Sequence, residues 1–150
     1  MALALEQARL SAEAGEVPIG AVVVLRGEVV GRGRNQPIAS QDPTAHAEIL
    51  ALREAGRATG NYRLTGASLY VTVEPCLMCV GAMIHARIGE LVFGTPEPKT
   101  GAIESTQRAH EHPSLNHRLT VVSGVMAREC GEVMKDFFER LRNRQLTTNN

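Results

Sequence analysis

The 150-residue chain has no tryptophan, and aromatic residues make up only 3% of it. That excludes a broad base-stacking platform of the kind general single-strand binders use. Net charge is also missing: 16 Lys and Arg balance 16 Asp and Glu, so no global field draws the protein onto a polyanion and any nucleic-acid contact must be local. No apolar run approaches the roughly 20 residues of a membrane-spanning helix. One of the longest, Ile19 to Leu25, carries a glycine inside it. The start, Met1-Ala2-Leu3-Ala4-Leu5-Glu6, lacks the basic and long apolar regions of a secretory signal, so the cytoplasm is the expected compartment. Cysteine is scarce and odd in number: Cys76, Cys79 and Cys130. An odd count with one Cys-x-x-Cys spacing argues against a disulfide framework and leaves a redox pair or half of a metal site.

What is present reads as one compact domain over residues 1–150, with the last residues, about 145–150, as a frayed tail. Leu5, Ala8 and Ala12 recur at helical spacing before Gly15. Two β-rich segments, Ile19 to Leu25 and Glu28 to Gly31, flank Arg26-Gly27 as a hairpin. After a loop rich in turn residues, Ala45 to Ala58 has Ile49, Leu50 and Leu52 at helical intervals, so a second helix is expected to begin near His46. A buried strand follows at Ser68 to Val73, a helix at Leu77 to Arg87 and a strand at Leu91 to Phe93. Thr95 to Asn116 has little period and reads as a long functional loop with one helical turn. A strand at Leu119 to Val122 and a helix at Val125 to Arg144 complete the chain, the helix turning Val133, Met134, Phe137, Phe138 and Leu141 inward. Alternating helices and strands imply a layered α/β fold, and the hairpin makes its sheet mixed.

Two motifs carry chemistry: His46-Ala47-Glu48 and Pro75-Cys76-Leu77-Met78-Cys79, each at a predicted helix start. One imidazole and two thiolates suit Zn²⁺, and three protein ligands leave the fourth tetrahedral position open to water, as in catalytic rather than structural sites. In the first turn of a helix, backbone N–H groups and the dipole favour the thiolates. Glu48 lies within the same turn as His46 and is the expected proton carrier, taking a proton from water and delivering it to a ring nitrogen and a leaving amine. Taken alone, His-x-Glu marks many ordinary helices, and Cys-x-x-Cys also fits a redox pair or half a zinc ribbon. In this order the two match the signature of zinc nucleobase deaminases. Cys130 could close a structural site as fourth ligand, but within an apolar-periodic helix a free cysteine reads as a small core residue. His110, His112 and His117 lack cysteine or acidic support and are not assigned a second metal.

The chain resembles the TadA-type tRNA adenosine deaminases, of the cytidine-deaminase-like superfamily, over nearly its whole length. The likeness extends beyond the zinc signature to Glu16-Val17-Pro18-Ile19-Gly20-Ala21-Val22, Asn35-Gln36-Pro37-Ile38, Asp42-Pro43-Thr44-Ala45, Tyr62-Arg63-Leu64, Glu74-Pro75 and Gly81-Ala82-Met83-Ile84-His85-Ala86-Arg87-Ile88. Lys99-Thr100-Gly101-Ala102, Asn116-His117-Arg118 and Asp136-Phe137-Phe138 continue it and fit free-base deaminases less well. The resemblance implies a three-layer α/β/α sandwich with a mixed five-stranded sheet, acting as a homodimer that converts the wobble adenosine of a tRNA anticodon stem-loop to inosine. It implies one Zn²⁺ per subunit on His46, Cys76 and Cys79, proton transfer by Glu48, and a base contact from Asn35. Lys99, Asn116, His117, Phe138 and Arg142 are implied contacts to the RNA. Where the family usually has Asp before Lys-x-Gly, this chain has Glu97, between Pro96 and Pro98, and Met1 falls inside the family's first helix.

Overall fold

The computed structural model describes residues 1–148. Helix α1 (Ala2–Glu13) leads into the hairpin of β1 (Gly20–Leu25) and β2 (Glu28–Arg34). Its turn places Arg26 at φ 52° and Gly27 at φ 78°, the pair of left-handed residues that a two-residue hairpin of matching twist requires. A short α2 (Pro37–Ser40), α3 (Ala47–Thr59), β3 (Ser68–Val73), α4 (Leu77–His85) and β4 (Glu90–Thr95) follow. One 3-10 turn (Ala109–Glu111) interrupts the long loop before β5 (Thr120–Val122) and α5 (Ala127–Thr148). The helix α5 runs through residues 145–148, which were expected to fray; Asn149 and Asn150 lie outside the described residues.

The five strands form one mixed sheet in the order β2-β1-β3-β4-β5. The β1 strand is antiparallel to both β2 and β3, while β3, β4 and β5 are parallel. Helices α1 and α5 pack on one face, α3 and α4 on the other, completing the three layers. Among the described residues no helix is long and apolar enough to cross a membrane.

The face that α3 buries is not the one its large apolar residues suggest. Ala47, Ala51 and Ala55 are fully buried, while Ile49, Leu50 and Leu52 are only half-buried. The cause lies in β2: a Cβ at Gly33 would stand 2.0 Å from the Ala47 carbonyl oxygen, and one at Gly31 would stand 2.2 Å from that of Ala51. Glycine on the strand and alanine on the helix let the two backbones approach closely, which fixes where the α3 N-terminus falls. In α5 the expected inner row divides similarly: Cys130 and Phe137 are buried, Val133 and Met134 half-buried, and Phe138 and Leu141 exposed.

Candidate active site

His46 and Cys76 stand in equivalent positions, at the N-cap of α3 and of α4, each with extended backbone. In both places a strand or loop gives way to a helix, so the residue's side chain projects beyond the first turn, where free backbone N–H groups gather. Cys79 follows one turn into α4, on the same side as Cys76. The Sγ atoms of Cys76 and Cys79 each lie 3.6 Å from His46 Nδ1. The three ligand atoms fall within 4.8 Å of one another, so the group is positioned to hold a metal ion. Cys130 is not part of it. Its sulfur packs against Gly94 on β4, and burial pushes its thiol up to about 11.

Electrostatics within the group follow from one shared proton. Hydrogen bonding from Cys79, with help from His46, holds the Cys76 thiol at about 4 despite its burial. Cys79 is pushed far up in return, first by its bond to the Cys76 sulfur, then by burial and the Glu48 charge. The bond to Cys76 likewise raises His46. Glu48, on the buried side of α3 and only 3% exposed, is raised to about 7, chiefly by burial and further by the Cys76 charge. A divalent cation reverses this logic for the sulfurs, because its charge displaces thiol protons outright.

Asn35 closes the site from the end of β2. Its Oδ1 accepts the Ala47 N–H at 2.9 Å, its carbonyl accepts the Ser11 hydroxyl at 2.8 Å, and its N–H donates to Ile19. The asparagine thereby satisfies one of the unpaired N–H groups at the start of α3, while His46 itself makes no side-chain cap bond. Two buried glutamates hold the flanking loops. Glu16, 2% exposed, accepts the N–H groups of Ile38 and Ala39 at the start of α2. Glu74, 3% exposed, accepts donors from the loop after β4. Burial alone would raise the Glu74 carboxyl, but the Ser105 hydroxyl and the N–H groups of Glu104, Ser105 and Ile103 bring it below the usual carboxylate value.

A family model described as MafB19-like deaminase matches residues 1–142. The tRNA-specific adenosine deaminase of Haemophilus influenzae is 48% identical over 95% of this chain and 83% of its own length. That of Bacillus subtilis is 44% identical over 95% of this chain and 88% of its own. A solved structure from studies of A-to-I editing by tRNA:A34 deaminases at the wobble position of transfer RNA is similar, with a TM-score of 0.86 and 48% identity. It covers 89% of this chain and 96% of that one. The chain belongs to the tRNA-specific adenosine deaminases.

In this deaminase the remaining expected contacts are scattered. Lys99 is exposed at the tip of the loop after β4, its N–H bonded to the Glu97 carboxylate at 3.0 Å. Phe138 is exposed and meets Phe137 edge-on at 5.4 Å, and Arg142 is exposed one turn further along α5. Asn116 and His117 do not join the group. The Asn116 amide oxygen accepts from Arg87 at 3.0 Å, and His117 Nε2 donates to the Ile88 carbonyl at 2.7 Å. Both therefore sit beyond the far end of α4, about 13 Å along the helix from Cys76. Glu16, Glu74 and Gly101 carried no role in the sequence reading. For the two glutamates the signal was an acidic residue beside an apolar stretch, where a buried carboxylate is rare unless it is hydrogen-bonded, whereas Gly101 had none, because its need for a missing Cβ comes from Glu74 in space.

Proposed function

We propose that this chain is a zinc-dependent hydrolase converting the wobble adenosine of a tRNA anticodon loop to inosine. The observation that carries the reading is the group of His46, Cys76 and Cys79 with buried Glu48 beside it. The donors fit zinc. Tetrahedral Zn–S and Zn–N bonds place sulfur and nitrogen about 3.6 Å apart, which is the spacing of both thiols from His46 Nδ1. When bound there, zinc would supply the Lewis acidity that makes water a nucleophile at neutral pH.

The protein's own residues then move protons and hold the base. Water oxygen adds to C6 of adenine; Glu48 takes one of its protons and passes it to ring N1, then takes the second from the new C6 hydroxyl and passes it to the exocyclic nitrogen. The C6–N bond breaks, ammonia leaves, and the ring keeps the oxygen. A carboxyl whose burial favours its protonated form suits a group that must both accept and donate protons. Asn35 holds the base: with Oδ1 committed to Ala47, its Nδ2 hydrogens face the substrate. Lys99, Phe138 and Arg142 meet the RNA around the pocket. We place the enzyme in the cytoplasm, as a homodimer. Asn116 and His117 are proposed as further RNA contacts, away from the metal group at the far end of α4.

Substrate class is tested with zinc-loaded protein and an anticodon stem-loop carrying a wobble adenosine, alongside free adenosine, guanine and cytosine. Inosine from the stem-loop alone is expected. Turnover of a free base with an unchanged stem-loop would retain the metal chemistry and overturn the RNA substrate.

A further inference from the structure

We infer that Glu74 is a positioning residue for the RNA substrate: its buried carboxylate fixes the loop of residues 96–106, with Lys99 at its tip, against the segment that delivers Cys76. The inference rests on the RNA-deaminase reading above and adds to it the residue that shapes one wall of the substrate's approach.

The carboxylate receives donors from both limbs of the loop. On the outgoing limb Oε1 accepts the N–H of Glu97 at 3.2 Å. On the returning limb Oε2 accepts the N–H groups of Ile103, Glu104 and Ser105 at 3.1, 3.0 and 3.0 Å, and Oε1 also accepts the Ser105 hydroxyl. Between them the chain passes so close that a Cβ at Gly101 would lie 2.4–2.6 Å from the three carboxyl atoms. Glycine is required there by that approach. Two backbone bonds close the same loop: Ala102 N–H to the Pro75 carbonyl at 2.9 Å and Gly101 N–H to that of Glu97 at 2.9 Å. The loop is thus tied at residues 74 and 75, immediately before Cys76, while Lys99 stays exposed.

An ionised carboxylate only accepts, so it can satisfy several converging N–H groups at once. No cation pairs with Glu74 among the described residues; its charge is held by loop N–H groups and one hydroxyl. Burying such a charge is costly, and an apolar filler would serve bare stability as well. What the charge adds is a single loop conformation, and ordering a contact loop beforehand removes that cost from substrate binding. The effect therefore belongs in KM.

The test compares Glu74→Gln and Gly101→Ala with wild type. In Glu74→Gln an amide NH₂ is set against N–H donors, and in Gly101→Ala the carboxylate is displaced from the other side. Both are expected to raise KM for the stem-loop about tenfold or more while kcat stays within about threefold and bound zinc is unchanged. Both should also speed tryptic cleavage after Lys99, a readout independent of substrate. Ser105→Ala, which deletes one donor, reads the same signature more weakly if the stronger variants fail to fold. Wild-type cleavage rates and KM in Glu74→Gln overturn the inference, as does a loss confined to zinc content and kcat. Failure of the wild type itself to form inosine would instead sink the RNA reading, and the cleavage rates would still judge the anchor.

Discussion

At the scale of single residues, the metal group was legible because its chemistry is local: His-x-Glu and Cys-x-x-Cys each fit within one helical turn. The second task of Asn35 was not, since capping Ala47 depends on where β2 delivers the loop. The two tasks separate in Asn35→Asp, which keeps the accepting oxygen and loses the amide donors. Because Asp still accepts the Ala47 N–H, Asn35→Asp should melt above Asn35→Ala, which leaves that N–H without its acceptor. Turnover of the stem-loop should fall about tenfold or more, by loss of a hydrogen bond to the base. His110 is a different case: 6% exposed, with no partner for Nδ1 among the described residues. Burial lowers it from the ordinary 6.5, although Glu111 lies 3.7 Å away. Below 6.5 the unfolded chain therefore binds this proton more readily than the folded one, so stability is full above that pH and is lost as pH falls toward the lowered value. Thermal melts at about pH 7.5 and about pH 5.5 should show a smaller acid loss in His110→Leu than in wild type. An equal loss would remove His110 from the account.

Among the elements, the periodicity of apolar residues located every strand and the main helices, but it did not reveal which face of α3 is buried. Periodicity weighs large side chains, whereas this interface is built from alanine meeting glycine across β2. The same blindness left Phe138 and Leu141 of α5 pointing inward in expectation and outward in the structure. Gly33 offers the sharpest test. Alanine there must push a Cβ against the Ala47 carbonyl and the Ala51 nitrogen, backbone atoms with nowhere to yield. A loss of about 3 kcal/mol is expected in denaturant unfolding, the upper end of the usual cost of overpacking, because backbone must move. Zinc affinity should fall with it, because Ala47 adjoins His46. Wild-type stability in Gly33→Ala would mean that the α3 packing is looser than described.

For the whole molecule, the mixed sheet brings two helix N-termini together on one face, so residues 30 and 33 positions apart in sequence meet at 3.6 Å. Ligand chemistry paired the motifs in the sequence, and the sheet order supplies the physical reason that they meet. The homodimer belongs to this scale too: light scattering should give the mass of two chains, and a single-chain mass would overturn it. The central claim is that Glu48 moves the proton while His46, Cys76 and Cys79 hold the metal. The most direct measurement follows wild type and Glu48→Gln on the stem-loop in ¹⁸O-labelled water, with bound zinc and labelled inosine quantified by mass spectrometry. The account predicts one solvent oxygen in each wobble inosine made by wild type. Glu48→Gln should keep its zinc yet turn over about 10²–10⁴-fold more slowly. Undiminished turnover in Glu48→Gln, or inosine without solvent oxygen, would contradict it.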